Sequence, residues 1–150
     1  MRARTFPAWL IAAAIIALDQ FTKQLCVERL APGASIPVLP PVLFLTLVHN
    51  TGAAFGLFKG QQTLFMGLSL IVIAWIGREL LIRPLRRTAV LWGCALILGG
   101  AVGNLIDRIL YGYVIDFIDL RVWPVFNIAD SAITIGAVLI AFKCFQLSKP

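Results

Sequence analysis

Four stretches of this chain are each long and apolar enough to form a membrane span. A transmembrane helix needs ~20 mostly apolar residues, and windows at about 6–27, 63–82, 89–110 and 127–145 meet that length. Their polar interruptions are few and sit near one end. The first holds Asp19 and Lys23, and the second closes on Arg78 and Glu79. The third is clean until Asn104, Asp107 and Arg108, and the fourth has Asp130 in its first turn. Composition agrees, with 60% hydrophobic and 13% charged residues in a 150-residue chain. A soluble domain of that size cannot hide so much apolar surface, and a disordered chain would be polar and charge-rich. The expected fold class is an all-α membrane protein of four transmembrane helices, with residues 1–150 forming one domain.

Charge sets the expected orientation, because Lys and Arg favour the cytoplasmic side. Arg2, Arg4, Arg78, Arg83, Arg86, Arg87, Lys143 and Lys149 fall on one side of a four-pass chain, eight of its thirteen cations. Both termini are therefore expected in the cytoplasm, and connections 28–62 and 111–126 on the outer face. Six of seven acids (Asp19, Glu28, Asp107, Asp116, Asp119, Asp130) lie in those connections or at the outer ends of the spans. The cations are scattered between apolar blocks rather than clustered on a polar face, which argues against a nucleic-acid partner. Arg2 and Arg4 ahead of Ala12–Ala14 also have the look of a cleavable signal peptide, but the apolar run continues to Asp19.

The first outer connection carries Pro32-Gly33, Pro37 and Pro40-Pro41, breaker chemistry, and then the β-forming run Val42 to Val48. The second, Tyr113 to Phe126, is also β-branched and aromatic. A small β-rich outer (periplasmic) flap is expected on the membrane surface. Cys26, Cys94 and Cys144 are read as small buried hydrophobes rather than a disulfide framework.

Ionisable groups within spans are costly and need a reason. Asp19 and Lys23, four residues apart, share a helix face; they are either a neutralised pair with Lys23 snorkelling to the interface or a positioning element. Gly99 and Gly103 give the small-xxx-small spacing that admits a close neighbour. Asn104 and Asp107 share a face beside Arg108, which suggests a packing seam with an Asp–Arg pair. Asp116 stands in the apolar segment Val114-Ile115-Asp116-Phe117 with no adjacent cation. Asp130 either completes an N-cap begun by Asn127 or does chemistry. Asp119, near Arg121, reads as a solvated or paired surface acid. Asn50-Thr51-Gly52-Ala53-Ala54-Phe55-Gly56 is a turn after the strand run, or a loop that meets an extended peptide.

Two carboxylates at an apolar membrane face can share one proton near neutrality, so that one activates water while the other donates. Other hydrolytic designs are poorly supplied. His49 is the one histidine, so a multi-histidine metal site cannot be built within the chain, and no G-x-S-x-G elbow exists for a serine nucleophile. A Ser–Lys pair of Ser131 and Lys23 is the remaining serine option. A proton-coupled transporter using Asp19, Asp107 and Asp130 as a relay is the alternative from another class, and a non-catalytic membrane scaffold is a third. The transporter does not fit acids gathered at one face without an internal repeat, and a scaffold would not need two unpaired acids at apolar sites.

Taken in order, five motifs resemble the lipoprotein signal peptidases (signal peptidase II), aspartic peptidases of bacterial membranes. They are Asp19-Gln20-Phe21-Thr22-Lys23, Asn50-Thr51-Gly52-Ala53-Ala54-Phe55, Gly99-Gly100 through Gly103-Asn104 to Asp107-Arg108, Val114-Ile115-Asp116-Phe117, and Phe126-Asn127-Ile128-Ala129-Asp130. The resemblance implies a catalytic pair at Asp116 and Asp130. It implies supporting or substrate-binding roles for Asp19, Lys23, Asn50, Gly52, Asn104, Asp107, Arg108, Asn127 and Ala129, with Asn127 orienting the pair and Asp107–Arg108 holding the third span and the flap. Ile115 stands where a second valine is common. The implied substrate is a diacylglyceryl-modified prolipoprotein cut just before its lipidated cysteine, with no metal or cofactor. The implied setting is the bacterial cytoplasmic (inner) membrane, with membrane lipids as partners, a monomeric protein and an active site near the outer face.

Overall fold

The computed structural model describes residues 5–52, 60–82 and 88–147, and within them the four apolar windows are helices. Helix α1 spans Phe6–Arg29, α2 Gln62–Ile82, α3 Thr88–Tyr111 and α4 Ile128–Leu147, and each is long and apolar enough to cross a membrane. Pro7 lies in the first turn of α1, where its fixed φ suits the helix and its missing N–H costs nothing. Strands β1 (Ser35–Leu39) and β2 (Leu43–Asn50) follow α1, and β3 (Val114–Asp119) joins α3 to α4. The cations Arg2, Arg4, Arg83, Arg86, Arg87 and Lys149, used above for orientation, lie outside the described residues, as do Ala53 to Gly56.

Helix α3 is the axis of the bundle. It packs against α1, α2 and α4, and most of it is buried, whereas the other three turn much of their apolar surface outward. Small residues explain how three neighbours fit around it. A β-carbon on Gly99 would stand 2.9 Å from the carbonyl oxygen of Ala12 on α1, and one on Gly93 2.8 Å from that of Gly136 on α4. At Gly100 the obstruction would be the carbonyl oxygen of Ala129, and at Gly103 the Asp19 carboxylate, 2.6 Å away. The spacing thus serves two helices, with Gly99 and Gly103 facing α1 and Gly93 and Gly100 facing α4.

Strands β1, β2 and β3 form an antiparallel sheet in that order at the end of the bundle where α1 and α3 finish and α4 begins. Strand β1 occupies the proline-bearing stretch in which the sequence suggested only breakers. It is an edge strand, where Pro37 can be accommodated without its N–H. Pairing between β2 and β3 slips between Leu45 and Val48, so that Leu45 faces Ile118 and Val48 faces Asp116. Such an irregularity bends the strand and re-aims side chains. Alternation then sends Ile115 and Phe117 into an apolar cluster with Cys26, Leu30 and Leu47, and Val114 and Asp116 to the opposite face. A second apolar cluster, with Ala12, Ile76, Leu80 and Leu98, fills the α1–α2–α3 contact.

Cys26 and Cys94 are buried as expected, but Cys144 is exposed. Helix α4 turns one face to α3 and leaves residues such as Ile135, Val138 and Phe142 outward, and Cys144 shares that outward surface.

The glycine contacts give a direct test. Gly100→Ala should cost ~1–3 kcal/mol of stability and lower the unfolding temperature in detergent, because backbone rather than a flexible side chain blocks the added methyl. Gly67→Ala, on α2 with nothing within 4 Å of the added carbon, should leave it unchanged or raise it slightly.

Candidate active site

The start of α4 is built by one side chain, Asn127. Its Oδ1 accepts from the backbone N–H of Asp130 at 2.8 Å, and the Asp130 Oδ2 accepts in return from the Asn127 N–H at 3.4 Å. This is a reciprocal cap of the kind that satisfies otherwise orphaned helix donors. Asn127 is fully buried, and its amide nitrogen does more than cap. It donates to Asp116 Oδ1 at 2.7 Å, and lies 3.1 Å from Asn104 Oδ1 and 3.2 Å from the Ile115 carbonyl. One residue therefore links the two carboxylates that the sequence singled out, Asp116 through its side-chain amide and Asp130 through its backbone N–H. The capping and chemical readings of Asp130 do not compete, because the cap uses its N–H and one oxygen and leaves Oδ1 to Asn104, at 2.8 Å.

Asp116 is held from its other side by β2. The Asn50 amide donates to Asp116 Oδ2 at 2.8 Å, while its carbonyl accepts from the Gly52 N–H at 3.0 Å. Gly52 is thus buried at the site as a backbone donor. Burial, followed by the neighbouring charge of Asp130, pushes the Asp116 carboxyl up to about 7. The amide donors of Asn50 and Asn127 and the charge of Lys23 oppose that rise.

Behind the two carboxylates lies a closed ionic cluster. The Lys23 Nζ sits 2.8 Å from Asp19 Oδ2, 2.8 Å from Asp107 Oδ2 and 3.0 Å from Asn104 Oδ1. Lys23 is 1% exposed, and Asp19 and Asp107 are 0% exposed, so the ammonium does not snorkel to the interface. The remaining valences tie the elements together. Asp19 Oδ1 accepts from the Ala129 N–H at 2.9 Å, which fixes the first turn of α4 to α1. Asp107 Oδ2 accepts from the Ile115 N–H at 3.0 Å, which fixes β3 to α3.

Two expectations change on this geometry. Asp107 pairs with Lys23 rather than with its neighbour Arg108, since adjacent residues on a helix point in different directions. Arg108 instead turns toward Asp130 and the cleft. Its Nη1 is 3.4 Å from the Asn104 carbonyl, its guanidinium lies 5.4 Å from the Phe65 ring centre, and its buried Nε has no partner. The Ser131 hydroxyl is bonded to the Asn127 carbonyl at 2.9 Å, and Lys23 is engaged by three acceptors, so the Ser–Lys pair does not form. His49 is exposed and stacks on Tyr113 at 4.2 Å. Asp119 accepts from the Thr46 hydroxyl and the Arg121 backbone N–H, a paired acid as read, but it is buried rather than at the surface.

Gln20 was not singled out in the sequence, yet its amide donates to Asp107 Oδ1 at 2.9 Å and to the Gly103 carbonyl at 3.2 Å. It stood in the first motif, a polar residue beside Asp19 in an apolar window, but was given no role there. Among the described residues, no group of three or more His, Cys, Asp or Glu could hold a metal ion.

Asp116, Asp130, Asn50 and Arg108 open onto a cleft of about 320 Å³ whose apolar wall includes Phe65 and Trp123. A second cavity of about 270 Å³ shares Phe65, Arg108 and Asp130 and continues between α2, α3 and α4 past Leu68, Val72 and Ile97. A carboxylate pair thus faces an apolar groove between the helices. Such a site can position water and protonate a leaving group beside a ligand that remains in the bilayer.

Comparison with known proteins points the same way. The family model described as signal peptidase (SPase) II matches residues 11–146. The lipoprotein signal peptidase of Moorella thermoacetica is 43% identical over 144 residues, covering 96% of this chain and 94% of the relative. That of Geobacillus thermodenitrificans is 45% identical over 150 residues, covering 95% and 91%. Two solved structures of bacterial membrane enzymes, both determined by the in meso method, superpose with TM-scores of 0.90 and 0.85 at 33% and 34% identity. They cover 95% and 96% of this chain, and the matches span 90% and 94% of theirs.

The raised Asp116 carboxyl predicts how stability varies with pH. Between ~4, where an unfolded aspartate ionises, and about 7, the folded protein holds a proton that the unfolded chain has lost. Stability should therefore fall as pH rises through that window and level off above it. At ~1.4 kcal/mol per pH unit the loss is bounded at about 4 kcal/mol. Thermal unfolding from pH 4.5 to 8 should show the decline, and Asp116→Asn should flatten it.

Proposed function

The chain belongs to the signal peptidase II family, and on that premise we propose that Asp116 and Asp130 are its catalytic pair. It is a membrane peptidase that removes signal peptides from prolipoproteins. The observation that carries the pairing is the Asn127 side chain, bonded at once to the Asp116 carboxylate and to the Asp130 backbone. The cleft at these two acids, and the cavity running from it between the helices, support a substrate that stays in the bilayer.

Hydrolysis follows from the difference between the two acids. Asp116, with its carboxyl near 7, carries the shared proton, and Asp130 acts as the base. Asp130 takes a proton from water, the resulting hydroxide adds to the scissile carbonyl carbon, and Asp116 gives its proton to the carbonyl oxygen. The tetrahedral species then collapses. Asp130 passes its proton to the departing nitrogen, Asp116 recovers one from the hydroxyl, and the C–N bond breaks. Arg108, with an unpaired buried Nε beside the cleft, and the Gly52 loop meet the substrate backbone.

The departing nitrogen belongs to a cysteine carrying diacylglycerol, and cleavage falls just before it. A signal helix and two acyl chains both prefer the bilayer, and they bring the bond to the membrane face where the acids lie. That face is the outer one of the bacterial inner membrane, with both termini in the cytoplasm, and the whole chain works as a single domain and a monomer.

The test uses purified protein and a synthetic diacylglyceryl prolipoprotein in a gel-shift assay. Asp116→Asn and Asp130→Asn should each lower the cleavage rate by at least ~10³-fold while circular dichroism and the oligomeric profile in detergent stay as in the parent. Near-normal processing by either variant would remove the pair from the mechanism. The parent rate should also fall as pH rises past about 7, where Asp116 loses its proton.

A further inference from the structure

Three asparagines aim amide N–H groups at the two carboxylates, and in each the carbonyl is occupied by a group that can only donate. Asn50 is set by the Gly52 N–H and Asn127 by the Asp130 N–H, both within a few residues of the side chain they orient. Asn104 is different. Its Oδ1 faces the Lys23 ammonium at 3.0 Å, from another helix and with a full charge. The Asn127 amide also approaches that oxygen at 3.1 Å, but it has a shorter bond to Asp116 at 2.7 Å.

We propose that Lys23 is a positioning residue for Asp130, acting through Asn104: the ammonium holds the Asn104 carbonyl, so that the amide N–H2 can only face Asp130. An ammonium has no acceptor, so the reversed amide would put donor against donor at Lys23 and acceptor against carboxylate at Asp130. The role also gives the buried charge a purpose. A buried ion pair is a poor source of stability compared with apolar packing of the same volume, but apolar packing cannot dictate the orientation of an amide. The remaining acceptors around Lys23 are neutral to this choice. Asp19 and Asp107 balance its charge, and their other bonds go to Ala129, Ile115 and Gln20.

The proposal rests on Asp130 being the base. The charged groups facing it are Asp116 from β3, Arg108 from α3, and Asp19 and Lys23 from α1, while Asp19 and Asp107 face Lys23. Helix α2 brings apolar residues to that side, among them Phe65 and Leu68. A carboxylate deprived of a donor is harder to ionise, so the effect appears on the acid limb of the pH–rate profile.

The experiment measures kcat/KM against pH, with the diacylglyceryl prolipoprotein, for Asn104→Leu, for Lys23→Met combined with Asp107→Asn, and for all three changes together. The double variant removes one positive and one negative charge, so the cluster keeps its net charge. Each should move the acid limb up by roughly one pH unit, about tenfold in rate below the limb, with KM little changed. The combination should shift it no further, because both act through one amide. An unmoved limb with a uniform fall in rate would overturn the proposal, since that is a purely structural effect. Shifts that add would also overturn it, because Lys23 would then act across space without Asn104. If the double variant does not fold, Lys23→Gln takes the place of Lys23→Met beside Asp107→Asn, because its amide can accept as well as donate, and an unmoved limb in it or in Asn104→Leu overturns the proposal. Asp130→Asn separates the two readings. If it is active the catalytic pair falls and this role with it, whereas if it is inactive and the limbs are unmoved, only the role of Lys23 falls.

Discussion

A lysine ammonium with almost no exposure, inside a bundle of apolar helices, is the constraint from which most of this structure follows. Removing such a charge from water costs several kcal/mol unless acceptors surround it. Lys23 requires three, and no single helix face supplies them. Asp19 comes from its own helix one turn away, and Asp107 and Asn104 come from α3. Their convergence demands that α1 and α3 nearly touch, and for that reason Gly103 has no room for a methyl beside the Asp19 carboxylate. The carboxylates then have lone pairs to spare. These collect the N–H groups of Ala129 and Ile115, and so the ionic cluster locates both the helix that bears Asp130 and the strand that bears Asp116.

Apolar clusters lie on either side of this polar layer. One fills the α1–α2–α3 contact, and the other joins the sheet to the end of α1. Between them, the polar groups are satisfied by one another to an extent that leaves few orphans. Among the described residues the exceptions are the side-chain amide of Gln62 and the Nε of Arg108. The latter stands at the cleft, where a ligand is the natural partner for an unfilled buried donor.

Much of this was legible in the sequence, for physical reasons. Twenty-residue apolar runs have little choice but to span, and the β-forming run from Val42 to Val48 announced β2. Asp116 drew attention because an acid in Val-Ile-Asp-Phe has no local compensation. What was hidden depends on contacts between distant segments. The partner of Asp107 is 84 positions away in the sequence, whereas the obvious neighbour, Arg108, points elsewhere on the helix. Pro37 concealed β1, because tolerance of proline depends on a strand being at an edge, which is a property of the sheet. Gln20 showed only as a polar residue next to a better one. The outward face of Cys144 depended on how α4 rotates against α3, and a helix apolar all round gives no cue to that.

The hydrogen bond from the Ala129 N–H to Asp19 joins the first helix to the last, across 110 positions. Because a ribosome delivers the chain from its N-terminus, Asp19 and Lys23 enter the bilayer before any of their distant partners exist, and as an i,i+4 pair they can neutralise each other while they wait. The constellation of buried acids and amides is finished only when the fourth helix arrives. A nascent chain that has delivered only three helices therefore holds Asp116 without Asp130, and the two carboxylates face one cleft only after the fourth helix has docked.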